Sequence, residues 1–395
     1  MAMFTSDGLG RRIAYYRSIV RPKLTQRQLA DAACVALGTV RKIERGERGV
    51  TDATLEAIAH ALGVDPTWLR TDRDPALRAL HHALPALSAA IAAYDMPEDG
   101  PTRPLPSLRA AVAEAVDWRL GAQYTRIVRT LPELITELTR AYHQASAHKR
   151  SDLAALLVSA YRSADAAVYK SGALDLSARM VELMRWAAPE AGDPLLSASV
   201  AYVRTETFFA AHAHAPGLRA LEHALDSAPA PNTPPEIATR GALHMRAAVI
   251  AGRARDAGVA ASHLREARAF ADQVTGGVYH GTAFGPDSVR IHEVSVAVSL
   301  GDGHTDRALT IANEWTPPLH LPAERRSGFY IELARAQLRS GVADDAFESL
   351  KTARRIAPQH TREHPWVRED AATLRRLKRA DSESLTHFAE WCAAI

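Results

Sequence analysis

A chain of 395 residues, 47% hydrophobic and 24% charged, has room for two or three domains and a sizeable core. Its formal net charge of +3 is too small for bulk electrostatics to point to nucleic acid, and two cysteines, Cys34 and Cys392, build no disulfide framework, as expected of a reduced cytoplasmic protein. No apolar run approaches the roughly 18 residues of a membrane span, and the N-terminus lacks the basic and apolar regions of a signal peptide.

Residues 24–46, LTQRQLADAACVALGTVRKIERG, read as two short helices around a tight turn. Thr25 is the expected N-cap, with Gln28 three residues on completing a capping box. Leu29, Ala32 and Ala33 are expected to face inward with Leu24, and the chain turns near Cys34. A second helix follows, with Val40 and Ile43 on its buried face and Leu37, Gly38, Arg41, Lys42 and Arg45 on the other; Gly46 stops it. Such a helix fits the major groove of B-DNA. Residues 9–48 hold ten Lys and Arg against three Asp and Glu, a net of +7, which leaves −4 for the rest of a chain whose total is +3. A basic head on a mildly acidic body suits a DNA-binding module joined to a sensor. Cys34 is read as a packing residue in preference to a redox one.

The stretches LTQRQLA, TVRKIERGER and TLEAIAHALGVDPTWL resemble the Xre/Cro/phage-repressor helix-turn-helix domain, over about residues 8–70 and five helices. That resemblance implies that Gln26 binds a phosphate and that Leu37, Gly38, Arg41 and Lys42 read bases. It also implies an ion pair between an Arg of the first helix and the Glu of IERG, here Arg17 and Glu44, with a two-residue insertion at Arg21-Pro22. The expected DNA-binding set is Gln26, Arg27, Leu37, Gly38, Thr39, Arg41, Lys42 and Arg45. Three positions depart from the family pattern. Cys34 stands in the turn where Gly is usual. Ala36 stands where the third helix usually opens on Ser or Thr, losing a cap worth about 1 kcal/mol. Gly38 weakens that helix by about as much. Leu37 and Gly38 offer bases no hydrogen bond, so Arg41 and Lys42 are expected to carry specificity and phosphates most of the affinity.

Residues 75–94 look helical with a kink at Pro85, and residues 95–107, with four prolines, break the chain. The expected domains are therefore 1–73 for DNA, 74–106 as a linker helix and Pro-rich connection, and 107–395 as a repeat body. The chain is rich in Ala and Arg and has no alternating β-branched run long enough for a sheet, so the fold class is all-α.

From Ser107 onward small and apolar residues recur at helix-pair spacing. In YIELARAQLRSGVADDAFESLKTARRIAP, Ala334 marks a close helix crossing and Gly341 the turn. Ala346, Leu350 and Ala353 form the inner stripe, and Pro358 the stop. The matching positions Ser177, Gly217, Ala260, Ala308 and Ala346 lie 40, 43, 48 and 38 residues apart, longer than the reference repeat of about 34. The spacing is similar to that of tetratricopeptide repeats, which implies an α-solenoid of five helix pairs, with flanking helices and caps at about 361–378 and 382–394. A solenoid presents a concave groove. By register with Gly341, that groove is expected to be lined by Arg162, Tyr169, Tyr202, Glu206, Phe209, Met245, Arg290, Glu293, Arg335 and Arg339, a mixture suited to a peptide or another polar-apolar ligand.

A repressor-type head before such repeats resembles the peptide-pheromone-sensing regulators of Gram-positive bacteria, and still more the actinomycete regulators of this layout. The resemblance implies a homodimer on double-stranded DNA at a near-palindromic operator, with a peptide or small-molecule effector. The other reading is a repeat scaffold whose head is vestigial or binds protein. No catalytic constellation is present in the sequence: IHEVSVAV lacks the second His of HExxH, and there is no Walker loop or GxSxG. His212-x-His214 and His360-x3-His364 have ligand-like spacing but no completing Cys or carboxylate, and they read as surface or loop histidines; no metal or cofactor is expected.

Overall fold

Helix signals dominate the chain, and the computed structural model follows them. Among the described residues every long element is an α-helix, and the one sheet has two short strands. The structure describes residues 6–20, 23–64, 66, 69, 75–301, 303–377 and 383–394. The chain forms two compact units, Met1–Arg78 and Ala79–Ile395. The expected limit at 73/74 and the insertion at Arg21-Pro22 lie outside the described residues.

In the first unit, α1 (Ser6–Ile19), α2 (Gln26–Ala32), α3 (Leu37–Glu44) and α4 (Asp52–Leu62) close on one core. Apolar residues three or four apart, such as Leu9, Ile13 and Tyr16 or Leu55, Ile58 and Leu62, give each helix one buried stripe. Of the expected fifth helix only Pro66 and Leu69 are described. Both are helical, and the Leu69 carbonyl accepts a bond from Arg12 Nε at 2.7 Å. One inward assignment is corrected: Ala32 is exposed and Ala30 is buried. The short α2 packs on α3 and α4, so its buried stripe is Leu29, Ala30 and Ala33.

In the second unit, α5 (Pro75–Ala92, its first residues falling in the first unit) continues through Pro85. Six helix pairs follow: α6 (Leu105–Leu120) with α7 (Tyr124–Gln144), α8 (Ala147–Lys170) with α9 (Leu174–Glu190), and α10 (Pro194–Ala210) with α11 (His214–Ser227). Then come α12 (Pro234–Arg253) with α13 (Ala257–Ala271), α14 (Pro286–Leu300) with α15 (Thr305–Glu314), and α16 (Ala323–Arg339) with α17 (Ala343–Ile356). Ser177, Gly217, Ala260, Ala308 and Ala346 are each the fourth residue of the second helix of a pair, and all are buried. Small residues are required there by close approach: a Cβ on Gly217 would lie 2.3 Å from Ile250 Cδ1. The flanking helices expected ahead of the first repeat are themselves a pair, α6–α7. The cap expected as one helix over 361–378 is two, α18 (Pro358–Glu363) and α19 (Pro365–Leu377), before α20 (Glu383–Trp391). Pro365 forces His364 into extended backbone, at φ −72° and ψ 122°, and so divides it.

Five of the six pairs share one turn. A residue with positive φ donates its N–H three residues back, and the next residue donates five back. The positive-φ residues are Ala122, Gly172, His212, Arg255 and Gly341.

Two further segments differ from expectation. Residues 95–104 do not form a free connection but lie along α7. Arg140 Nε and Nη1 donate to the carbonyls of Glu98 (2.6 Å) and Pro101 (2.9 Å), and Arg103 pairs with Glu137 at 2.7 Å. Between α13 and α14 a hairpin, β1 (Gly277–Tyr279) and β2 (Thr282–Phe284), pairs antiparallel with Val278 opposite Ala283. Its tip residues His280 and Gly281 both have positive φ, as a two-residue primed turn demands. Phe284 is fully buried on Gly241, where a Cβ would come within 2.0 Å of the ring.

Candidate DNA-reading face and ligand chamber

The turn of the N-terminal unit is built from local chemistry. Thr25 Oγ1 accepts from the Gln28 amide at 3.2 Å while Gln28 Oε1 accepts from the Thr25 amide at 2.8 Å. Cys34, where Gly is usual, takes φ 52° and is exposed, so the expectation that it packs in the core is corrected. Ala36 is extended and caps nothing with its side chain. Gly46, at φ 75°, ends α3 with the Gly46 N–H bonded to Ile43 O and the Glu47 N–H to Lys42 O.

Glu44 is the hub that fixes α3. Arg17 Nε and Nη2 donate to its two oxygens at 2.7 and 3.0 Å, a bidentate pair across α1 and α3. Gln26 Nε2 donates to Glu44 Oε2 at 2.6 Å, so the residue expected to meet a phosphate is half-buried and belongs to this network. Leu37, expected outward, is half-buried against the core, and Thr39 is half-buried too. Arg27, Gly38, Arg41, Lys42 and Arg45 are exposed. A Cβ on Gly38 would meet nothing within 4 Å, so α3 presents bare backbone beside Arg41 and Lys42. Arg45 is paired with Glu47 at 3.0 Å.

In the repeat unit the first helices of the pairs, with the hairpin tip, enclose a polar chamber of two adjoining lobes, each about 140 Å³. The lobes share Tyr169, Lys170, Glu206, Arg246, Glu324 and Arg325. At one end Arg162 donates to Ser199 Oγ (2.6 Å), the His280 carbonyl (2.7 Å) and Thr282 Oγ1 (2.7 Å), and Arg119 donates to the Gly281 carbonyl at 2.9 Å. Burial, with Arg119 nearby, pushes the Arg162 guanidinium down to about 9. In the middle Arg246 binds Thr205 Oγ1 and Glu206 and lies 4.6 Å over the Tyr202 ring. At the far end Arg253 lies 3.9 Å over the Phe209 ring. Arg325 donates to the Tyr202 hydroxyl at 2.6 Å and stands 3.2 Å from His292 Nε2. His292 Nδ1 lies 2.8 Å from the Ser288 carbonyl, which assigns the proton to Nδ1 and the acceptor role to Nε2. Burial first, and Arg325 second, hold that imidazole well below its usual pKa and so neutral. Glu332 accepts from Ser295 Oγ at 2.8 Å, and burial raises its carboxyl to about 7.

The ten residues expected in the groove divide. Arg162, Tyr169, Tyr202, Glu206 and Phe209, on α8 and α10, line the chamber. The other five do not. Met245 is fully buried, and Arg290 is exposed over the Trp315 ring. Glu293 pairs with Arg268 and Arg307, Arg335 with Glu369 over Trp366, and Arg339 with the Val298 carbonyl. In their place stand Arg246, Arg253, Arg325 and Glu332. The signal that finds them is a seven-residue spacing shared by the first helices: Arg162 and Tyr169, Tyr202 and Phe209, Arg246 and Arg253, Arg325 and Glu332. Counting back from Gly341 drifts by one residue at Met245 and by more further on, because the helices differ in length. His360, read as a surface residue, is buried at the chamber wall with Nδ1 2.7 Å from Ser327 Oγ.

The all-α fold, with a two-helix turn carried on α1 and α4 and followed by stacked helix pairs, defines the class: a helix-turn-helix head joined to an α-solenoid. Residues 20–69 match the helix-turn-helix family, so the N-terminal unit is a helix-turn-helix DNA-binding domain. Among solved structures the chain is similar to Bacillus thuringiensis PlcR in complex with the peptide PapR7 and DNA, at 13% identity over 68% of this chain and 95% of that one, with a TM-score of 0.29. Comparison with the curated proteins gives no match. Among the described residues no helix is long and apolar enough to cross a membrane.

Proposed function

We propose that this protein is a sequence-specific transcriptional regulator that binds a near-palindromic operator as a homodimer in the cytoplasm, and that its repeat unit holds an effector. The observation that carries the reading is the outward set on α3. Arg41 and Lys42 project from a helix locked by the Arg17–Glu44 pair, beside the open backbone of Gly38. A guanidinium or an ammonium can bind guanine O6 and N7 in the major groove, which suits Arg41 and Lys42 to base edges, while the exposed Arg27 and Arg45 suit the flanking phosphates. Two heads of a dimer would read half-sites about 34 Å apart. An effector with different affinity for the DNA-bound and free states changes operator affinity by that same ratio.

The test is DNA selection from random sequence followed by anisotropy titration. Arg41→Ala with Lys42→Ala should weaken the selected site by at least about 30-fold, two contacts of roughly 1 kcal/mol or more each, while circular dichroism stays that of the parent. Sequence-specific binding that survives the double substitution would sink the assignment.

A further inference from the structure

The chamber is unbalanced in charge. Six cations line it, Arg119, Arg162, Lys170, Arg246, Arg253 and Arg325, against four carboxylates, Asp165, Glu206, Glu324 and Glu332. Only two of the cations meet a chamber carboxylate: Arg246 with Glu206 at 3.1 Å and Lys170 with Glu324 at 3.5 Å. The acceptors of Arg119, Arg162 and Arg325 are neutral: carbonyls, hydroxyls and an imidazole. Arg253 rests on the Phe209 face, and its Nε is buried without a hydrogen-bond partner, as is that of Arg119. Burial raises the carboxyls of Asp165 and Glu332, which deepens the imbalance near neutral pH. A desolvated cation without a counter-charge is costly, so a fold that gathers several around one cavity is short of an anion.

We infer that this chamber is an anion-binding site: it takes a small ligand with a carboxylate or phosphate head, received by Arg253 and Arg325 and flanked by the rings of Tyr169, Tyr202 and Phe209. Guanidiniums suit both heads because their planar fork gives two parallel bonds to either. Each lobe, at about 140 Å³, has space for about five waters, so the site holds a short acid whole, or one end of a longer molecule. This deepens the effector reading above and rests on it for the ligand's purpose, not for its chemistry.

The full chain, without DNA, is titrated by calorimetry and thermal shift with citrate, inorganic phosphate, tri-alanine and tri-alanine amide, at ionic strength matched with sodium chloride. At least one of the first three should bind and raise the melting temperature, and the amide should not. Citrate alone assigns a free organic acid, tri-alanine over its amide a peptide C-terminus, and phosphate a phosphate ester. Arg253→Gln should weaken that probe at least tenfold and, unliganded, melt at a higher temperature than the parent. A purely structural arginine would do the reverse. Arg325→Gln should weaken the probe as well; if it fails to fold, Arg253→Gln decides alone. The site is refuted if no probe acts beyond sodium chloride, or if Arg253→Gln binds as the parent does. Operator affinity is measured in parallel. A probe that binds without changing it leaves the site and removes the effector reading. A change in operator affinity that persists in Arg253→Gln removes the site and leaves the effector reading.

Discussion

Gly10 is where the head closes. A Cβ built there would sit 2.0 Å from the Ile43 carbonyl oxygen and 2.9 Å from its carbon, both backbone atoms that cannot rotate away. Gly10→Ala must therefore push α1 off the C-terminal end of α3, at a cost of about 3 kcal/mol, the upper end for overpacking. Hydrogen exchange should show amides of α1–α4 losing protection while those of α8 and α9 do not change. Unaltered protection in α1 and α3 would contradict the close approach. Local signals around this glycine were legible in the sequence: the Thr25–Gln28 box, the buried Val40 and Ile43, and, through family resemblance, the Arg17–Glu44 pair. The Gly10–Ile43 approach was not, because nothing in the neighbours of Gly10 records a helix so distant in the chain. The phase error between Ala30 and Ala32 has a similar source. Alanine fits either side of a short helix, and only the placement of α3 and α4 decides which side is dry.

Helix pairs repeat more faithfully in backbone than in sequence. The shared turn needs positive φ at Ala122, Gly172, His212, Arg255 and Gly341, but only two of these are glycine, so a search for Gly finds two turns of five. The small residue at the fourth position of five of the six second helices was the stronger signal, since close backbone approach restricts it directly. A residue with a Cβ in the left-handed region pays about 1 kcal/mol or more, part of which glycine returns as unfolded-state entropy. Arg255→Gly should then raise stability in urea by about 0.5 kcal/mol, and Gly172→Ala should lower it by about 1 kcal/mol. Equal midpoints for Arg255→Gly and the parent would mean that the strain at this turn is no larger than the entropy glycine adds to the unfolded chain. The hairpin escaped the sequence altogether. Its strands are three residues each, too short for an alternating pattern, and its role is set by tertiary partners: Gly241 beneath Phe284, and Arg119 and Arg162 on its tip carbonyls. Residues 95–104 likewise carry the composition of a loop, and only the arginine side of Arg140 on α7 turns them into a strap.

Titration of the whole repeat unit pits two sets of buried groups against each other. Burial depresses the imidazoles of His292, His360 and His364 well below the usual value and that of His244 to about 4. Between those depressed values and the unfolded value near 6.5, the unfolded chain binds the extra protons, so stability is lost as pH falls through this range. Burial raises the carboxyls of Asp165, Asp370 (about 6) and Glu332 (about 7). Each of these contributes stability that is whole below its unfolded value, 3.8 for the aspartates and 4.5 for Glu332, and lost as pH rises through the folded one. The two slopes oppose each other, which flattens the parent between pH 5 and 7. Glu332→Gln separates them. Glutamine keeps an oxygen for Ser295 Oγ and mimics the protonated acid at every pH. Its advantage over the parent should be near zero below pH 5. It should grow as pH rises toward 8, reaching about 3 kcal/mol once the parent carboxylate is ionised in both states. Removing that falling contribution should also leave a variant whose melting temperature climbs from pH 5 to 7 as the histidines of the unfolded chain lose their protons. Melting curves of both proteins across this range measure the difference directly. A gap that is the same at pH 5 and pH 8 would place Glu332 in water rather than in the chamber wall.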